Sequence, residues 1–419
     1  MPASGFPILV QQDLRPAYYD DFHCLAADCK LSCCKGWDIT FNKKDYLSLK
    51  RQTCSPELNE RMARAVRRIR KGPMAEAFYG EFDMSSGTCP LLREDGLCAL
   101  QIEKGHEALP NVCTSYPRWD TYRISGYRER SLSTSCEGVL KLLWDLPWGV
   151  EFRSDPLPKT EQKQVSPNVD SPMQQWFGVL REWCIDRLQD RRFTLPERIM
   201  LMGVCLRRLT EGEDMEAWLT WARALPESVE PGSLLPRDDR SLPMLLADMR
   251  KILGPAKRAG IVSVTVQRPG SDHVETLDAG QWDIQSHLQR AMVDLLGTLS
   301  VPAYLAARSR YGEAFRDHAY FMENLMVSIF FCLNIPDTSS AENLWKSYVN
   351  FCNLYACHNF AAVLSCREGV EDCKREMFDL LVQTSRTLLH NRQRQDSLRD
   401  DLFQHDSATL AHMAILLGG

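Results

Sequence analysis

Several features are scarce in this chain of 419 residues. Met1 to Asp13 lacks a basic opening, a long apolar stretch and a small-residue cleavage site, so no secretory signal is indicated and a cytoplasmic, reducing compartment is expected. Long hydrophobic runs are also lacking. The nearest, Leu325 to Ile335, contains Ser328 and Asn334 and falls well short of the roughly 20 residues that cross a bilayer, so no transmembrane segment is expected. There is no excess of positive charge. Lys plus Arg total 50 against 55 Asp plus Glu, a net charge of -5, which gives no global reason to bind nucleic acid or anionic lipid. No internal repeat or low-complexity tract is visible, and with 44% hydrophobic and 25% charged residues the chain has the composition of a folded protein. Its length, two to three times that of a usual single domain, points to more than one core.

Cysteine is the residue in excess. Sixteen cysteines in a chain without a signal peptide do not suit a disulfide framework, because a reducing compartment keeps thiols free; metal or cluster ligation is the leading alternative. Nine of the sixteen fall in the first third of the chain. The ligand candidates are Cys24, Cys29, Cys33 and Cys34 in one run, Cys89 and Cys98 in a second, then Cys113 and Cys136. Thiolates are soft and select zinc or iron–sulfur centres over hard cations. A structural zinc or a [4Fe–4S] cluster takes four ligands, so eight thiols imply either two sites or some thiols that only support one. Neighbouring side chains on extended backbone diverge, so Cys33 and Cys34 are expected to face different surroundings. Paired C-x2-C hooks of the common zinc folds are absent. Cys54, Cys184, Cys205 and Cys332 read as small buried hydrophobes, as do Cys352, Cys357, Cys366 and Cys373, whose neighbours Phe351, Leu354, Tyr355 and Phe360 are apolar; a second metal site including His358 is the alternative for that group.

The remaining pattern is mainly α with small β elements, an irregular cysteine-ligated amino-terminal region packed on a helical carboxy-terminal part. Residues 1–145 form the cysteine-rich region, 146–173 a Pro-rich linker and 174–419 a mainly helical domain. A helix begins near Asn42, and Leu58 to Lys71 has the spacing of a basic amphipathic helix whose arginines form a solvated face. Tyr122 to Arg130 reads as a hairpin turning at Ser125 and Gly126. Two or three helices are expected from Gln174 to Leu225, another from Met244 to Leu253, a strand at Ile261 to Val266, and helices from Asp283 onward interrupted at Pro302 and Pro336.

The segments HCLAADCKLSCCKGWDIT (from His23), CPLLREDGLCALQ (from Cys89), GHEALPNVCTSYPR (from Gly105) and TSCE (from Thr134) resemble those of the bacterial flagellin lysine-N-methylase family. HAYFMENLMVSIFF, from His318, is similar to the helical carboxy-terminal half of that family. The pattern is also similar to that of broader zinc- or iron-chelating cysteine-cluster proteins. The resemblance implies a methyltransferase acting on flagellin lysines before export, with S-adenosylmethionine as donor and an iron–sulfur cluster on the cysteines. Known donor-site signatures are missing: no strand leads into a Gly-rich turn, and Asn334-Ile-Pro-Asp matches the polar-Pro-Pro-aromatic loop of amino-methylating enzymes only faintly. Cys29-x3-Cys33 opens like the radical S-adenosylmethionine loop, but Cys34 follows at once. A lysine amine must lose its proton before it accepts a methyl, and Tyr320, Glu323 and Asn324, sharing a face of an apolar helix, are the candidates for the acceptor-lysine pocket. A non-catalytic iron–sulfur or zinc carrier is the alternative function.

Overall fold

The computed structural model describes residues 8–35, 37–70, 78–123, 125–165, 172–235, 239–253, 262–267, 274–279, 298–390, 399–400 and 402–418. After β1 (Ile8–Val10) and β2 (Gln12–Pro16), the chain runs through a largely irregular stretch carrying Cys24 to Cys34 and enters β3 (Thr40–Phe41). The Asn42 side chain accepts the Asp45 amide at 2.9 Å and starts α1 (Lys43–Arg51); Ser55 caps α2 (Pro56–Ala65), where Pro56 needs no amide partner. The basic helix expected to reach Lys71 stops at Ala65. β-Branched Val66 opens β4 (Val66–Arg68), which pairs with β5 (Gly80–Phe82), and Val66 and Phe82 are both buried, so tertiary pairing wins over helical periodicity. Lys71 lies outside the described residues.

α3 (Ala99–Lys104) and α4 (Asn111–Ser115) precede the hairpin β6 (Arg118–Tyr122) and β7 (Tyr127–Leu132), whose turn holds Ser125 and Gly126 as expected; Gly126, at φ 87°, takes a conformation that side chains disfavour. α5 (Glu137–Trp144) leads to β8 (Phe152–Pro156). The central sheet has the order β6-β7-β2-β8, with β2 parallel to β7 and antiparallel to β8. β8 and β9 (Lys163–Val165), the latter paired with β1, fall within the stretch expected as a linker. Three helices follow as expected, α6 (Phe177–Leu188), α7 (Leu195–Thr210) and α8 (Met215–Ala224), then α9 (Leu242–Leu253). β10 (Val262–Gln267) and β11 (Val274–Ala279) pair antiparallel where one strand is expected; Ile261 is outside the described residues. Pro302 sits in the first turn of α10 (Val301–Ala314), starting a helix where an interruption is expected, because a first-turn residue has no amide bond to lose. α11 (Tyr320–Cys332), α12 (Ala341–Leu364), α13 (Cys373–Leu389) and α14 (Leu410–Leu417) complete the helical body.

Two apolar cores result. The larger gathers α5 to α14 and draws in Tyr18, Tyr19, Phe22 and Leu132 from the amino-terminal part. A smaller one, around Ile39, Phe41, Leu58, Phe82, Leu91 and Leu100, lies under the cysteine-rich loops. Among the described residues no helix is long and apolar enough to cross a membrane.

Candidate functional site

All sixteen cysteines are unbridged. Cys34, Cys89, Cys98 and Cys113 pack on the smaller core: the Cys34 carbonyl accepts the Cys89 amide at 2.8 Å, a backbone bridge joins Leu92 to Cys98, and Cys113 comes from α4. Arg61 of α2 donates to the carbonyls of Pro90 and Leu92 and fixes the loop between Cys89 and Cys98. Burial raises the Cys113 thiol, and the nearby Cys34, Cys89 and Cys98 raise it further. Burial likewise pushes Cys89 up to about 12. The other four candidates lie toward the helical body. Cys136 immediately precedes α5 and packs on the larger core, Cys29 Sγ is 3.7 Å from Glu137 Oε2, and Cys24 is exposed. Burial, then Glu137, Cys136 and Cys24, push Cys29 up to about 11. Cys33 and Cys34 occupy a turn, not extended backbone, so their thiols meet: Cys33 donates to Cys34, which lowers Cys34 to about 7 and raises Cys33.

Burial raises the thiols of Cys89, Cys98, Cys136 and Cys29, and neighbouring backbone amides, of Leu91 and Leu92, of Leu100 and Gln101, of Gly138 and Val139, and of Leu31, oppose it in turn. The Ala26 amide lies 3.4 Å from Cys24 Sγ. Sulfurs served by amide donors have the chemistry of zinc or iron–sulfur ligands, and this donor set fits either group. Among the described residues no three Cys, His, Asp or Glu side chains converge closely enough to hold an ion without rearrangement.

Two side chains clamp this region to the helical body. Glu137, almost fully buried, accepts the amides of Lys30 at 2.8 Å and Leu31 at 3.0 Å; burial pushes its pKa up, but these amides and Lys141 together hold it below the usual carboxylate range. Arg386 of α13 donates to the carbonyls of Leu31 at 2.6 Å and Ser135 at 3.3 Å. Aromatic groups line the same seam. Trp37 donates to the Cys33 carbonyl, and its ring centroid stands 5.3 Å from both Tyr116 and His390; half-exposed Trp119 lies 6.2 Å from His390. Ser135 Oγ is 2.7 Å from His390 Nε2 and 2.9 Å from Tyr116 Oη. Burial, then Arg386, lower His390 to about 4, so its ring is neutral at physiological pH. Sequence reasoning missed Glu137, Arg386, Trp37, Trp119 and His390; the Glu following Cys136 is the nearest thing to a signal.

The three residues expected at an acceptor pocket come together on α11, and each faces a protein partner. Tyr320 Oη donates to the Trp144 carbonyl at 3.0 Å, and Asn324 Nδ2 donates to those of Leu143 and Leu146 at 3.0 and 2.8 Å, so both serve the carbonyl end of α5. Buried Glu323 pairs with Arg191 at 2.9 Å and Arg198 at 2.5 Å, and Arg191 also holds the Pro147 carbonyl. His318 stacks on Trp144 with centroids 4.2 Å apart. Cys184, Cys205, Cys352, Cys357 and Cys366 are core residues; His358 sits 2.6 Å from the Leu354 carbonyl and 3.0 Å from Ser385 Oγ, and burial lowers it to about 4. Cys54, Cys332 and Cys373 are partly exposed.

A cysteine-rich region, clamped by a carboxylate and an arginine onto a helical body, defines a cysteine-rich, mainly α-helical protein. The chain belongs to the FliB lysine N-methylase family: residues 181–416, more than half of it, match the model of the family's C-terminal domain. It is 33% identical over 138 residues to the Lysine-N-methylase of Salmonella typhimurium, a match covering 32% of each chain. It is equally identical, over 138 residues, to the "Flagellar biosynthetic protein FliU" of Salmonella muenchen, covering 32% of this chain and 76% of that one. The chain thus matches only about a third of the Salmonella typhimurium methylase's own length. No solved structure matches.

Proposed function

We propose that this chain is a protein-lysine N-methyltransferase that moves the methyl group of S-adenosylmethionine to lysine side chains of flagellin, in the cytoplasm before export, with a [4Fe–4S] cluster held among the eight thiols of Cys24, Cys29, Cys33, Cys34, Cys89, Cys98, Cys113 and Cys136. What carries the reading is the match of residues 181–416 to the methylase domain, taken with the clamp through which Arg386 of that domain grips the thiol-bearing loop. The names of the Salmonella relatives supply lysine as acceptor and the flagellum as context.

In the transfer, a bond forms between the lysine nitrogen and the methyl carbon while the methyl–sulfur bond breaks. The sulfonium leaves as a neutral thioether, and the ammonium proton passes to solvent water first, since a free lysine titrates at about 10.4. Seated at the seam, an ammonium or sulfonium would meet the aromatic faces of Trp37, Tyr116 and Trp119, which attract cations, while partial burial favours the neutral amine. Neutral His390 adds no repelling charge, whereas the Arg386 guanidinium beside it disfavours an ammonium and so favours the neutral amine. When bound, the cluster supplies a redox centre or an open iron position. Tyr320, Glu323 and Asn324 act as positioning residues: Tyr320 and Asn324 fix the carbonyl end of α5, whose other end carries Cys136 and Glu137, and Glu323 orients Arg191, which holds the Pro147 carbonyl just beyond it.

The test is to incubate anaerobically purified protein with S-adenosylmethionine and flagellin and to weigh the flagellin. Mass gains in whole methyl increments on lysine-containing peptides are expected. An iron- and sulfide-containing sample that leaves flagellin unchanged contradicts the reading.

A further inference from the structure

Between α5 and β8 the chain reads Asp-Leu-Pro-Trp-Gly-Val-Glu, residues 145 to 151, and three other segments hold this short loop. Asn324 donates to the Leu146 carbonyl at 2.8 Å, and Arg191 to the Pro147 carbonyl at 2.8 Å. Further on, Gln189 Oε1 accepts the Val150 amide at 2.8 Å, Gln189 Nε2 donates to the Val150 carbonyl at 3.2 Å, and the Glu151 carbonyl accepts the Ala17 amide at 2.8 Å. Gly149 has φ 101°, which side chains disfavour, and a Cβ there would lie 2.6 Å from the Gln189 oxygen that serves Val150. Pro147 fixes its own φ. The backbone is thus pinned on both sides of Trp148, whose side chain is 88% exposed, more than any other large apolar side chain among the described residues. Among the described residues its ring has no aromatic or hydrogen-bond partner.

A slack loop turns an apolar ring inward; this one holds the ring out against the hydrophobic effect. An indole displayed on a rigid backbone suits recognition, because the ordering cost of binding is met in advance. The charge around it selects the occupant. Asp145 and Glu151 stand three residues to either side, and the loop has no Lys or Arg. Neither carboxylate forms an ion pair among the described residues, and Arg191, on the Pro147 carbonyl, is already engaged by Glu323. Asp145 also sits at the carbonyl end of α5, where the helix dipole disfavours a carboxylate. Indole is the ring that attracts cations most strongly, and nearby carboxylates add to the pull. The geometry points to a docking site for a lysine-bearing segment of the polypeptide substrate, with a lysine ammonium drawn to the Trp148 face by Asp145 and Glu151. The docked lysine is not the one methylated, since the 8 residues of α5, roughly 12 Å of helix, separate this loop from Cys136 and Glu137.

The identity of the substrate rests on the proposed function; the pinned, exposed indole does not. The experiment measures flagellin binding without the methyl donor, and then methyl transfer, for the full chain purified without oxygen as wild type, as Trp148→Ala and as Asp145→Asn with Glu151→Gln. Trp148→Ala should raise the Kd for flagellin about tenfold or more, as loss of a central aromatic contact does. The double variant should weaken binding less, and its Kd should respond less to added salt than the wild type's, because the carboxylates supply the screened part of the attraction. At saturating flagellin, kcat should stay within about twofold of wild type while KM rises. Both variants change exposed groups and should keep the wild-type urea midpoint. An unchanged Kd in Trp148→Ala overturns the inference. So does a Trp148→Ala chain that loses self-association in sedimentation while binding flagellin normally, which assigns the loop to a second copy. Methyl transfer with the same KM in all three proteins contradicts this inference only, whereas loop-dependent binding of flagellin without methyl transfer contradicts the proposed function only.

Discussion

The Glu323 carboxylate is the buried counter-charge of Arg198 and also orients Arg191. Removing one partner of a buried pair leaves the other charge uncompensated, so Glu323→Gln should lower folding stability by about 3 kcal/mol. Urea denaturation checks this; a variant that keeps its stability and loses only methyl transfer would place Glu323 at the substrate instead. His358 makes a pH prediction. It titrates near 6.5 when unfolded, whereas burial lowers it to about 4 in the fold. Between those values the unfolded chain binds more protons, so its contribution to stability is intact above about 6.5 and falls away as the pH drops toward about 4, by on the order of 3 kcal/mol in all. His358→Gln should flatten the stability profile over that window, measured as the urea midpoint against pH; an unchanged slope contradicts the assignment. The thiols were legible because cysteine spacing is local. Arg386 was not, because its partner Leu31 lies 355 residues away and nothing near either residue announces the other.

At the scale of the element, α5 joins the candidate site to the helical body. Its amide end carries Cys136 and Glu137, and its carbonyl end is capped by Tyr320 and Asn324 from α11. The sequence placed Tyr320, Glu323 and Asn324 on one helix face, which is periodicity; that the face meets the end of another helix is tertiary information. The same limit explains β4, where a helical pattern yields to pairing with β5. A second contact sets how closely two helices approach. A Cβ built on Gly203 of α7 would lie 2.0 Å from Tyr348 Oη of α12, and Tyr348 is fully buried with no room to retreat. Gly203→Ala should therefore destabilise by about 1–3 kcal/mol despite its better helix propensity. The expected signature is a lower denaturation midpoint with an unchanged slope; an equal or higher midpoint would mean that the helices slide apart freely.

Over the whole molecule, composition and helical periodicity anticipated a mainly helical body with small sheets, and the described residues have that form. What they did not convey is that the amino-terminal part serves two cores at once: Tyr18, Tyr19 and Phe22 sink into the helical body, while Ile39 to Leu100 build a core of their own. Strands distant in sequence, β2 with β7 and β8, make that division, and long-range pairing leaves little local trace. In the proposed function, the thiol-bearing loops and the family's helical domain work as one methyl-transferring unit through Cys136 and α5. The most direct measurement weighs flagellin after parallel anaerobic reactions with S-adenosylmethionine and either the wild type or Cys136→Ser, each first shown to be folded. Methyl increments with the wild type and none with the variant are predicted; equal methylation by both would contradict the claim.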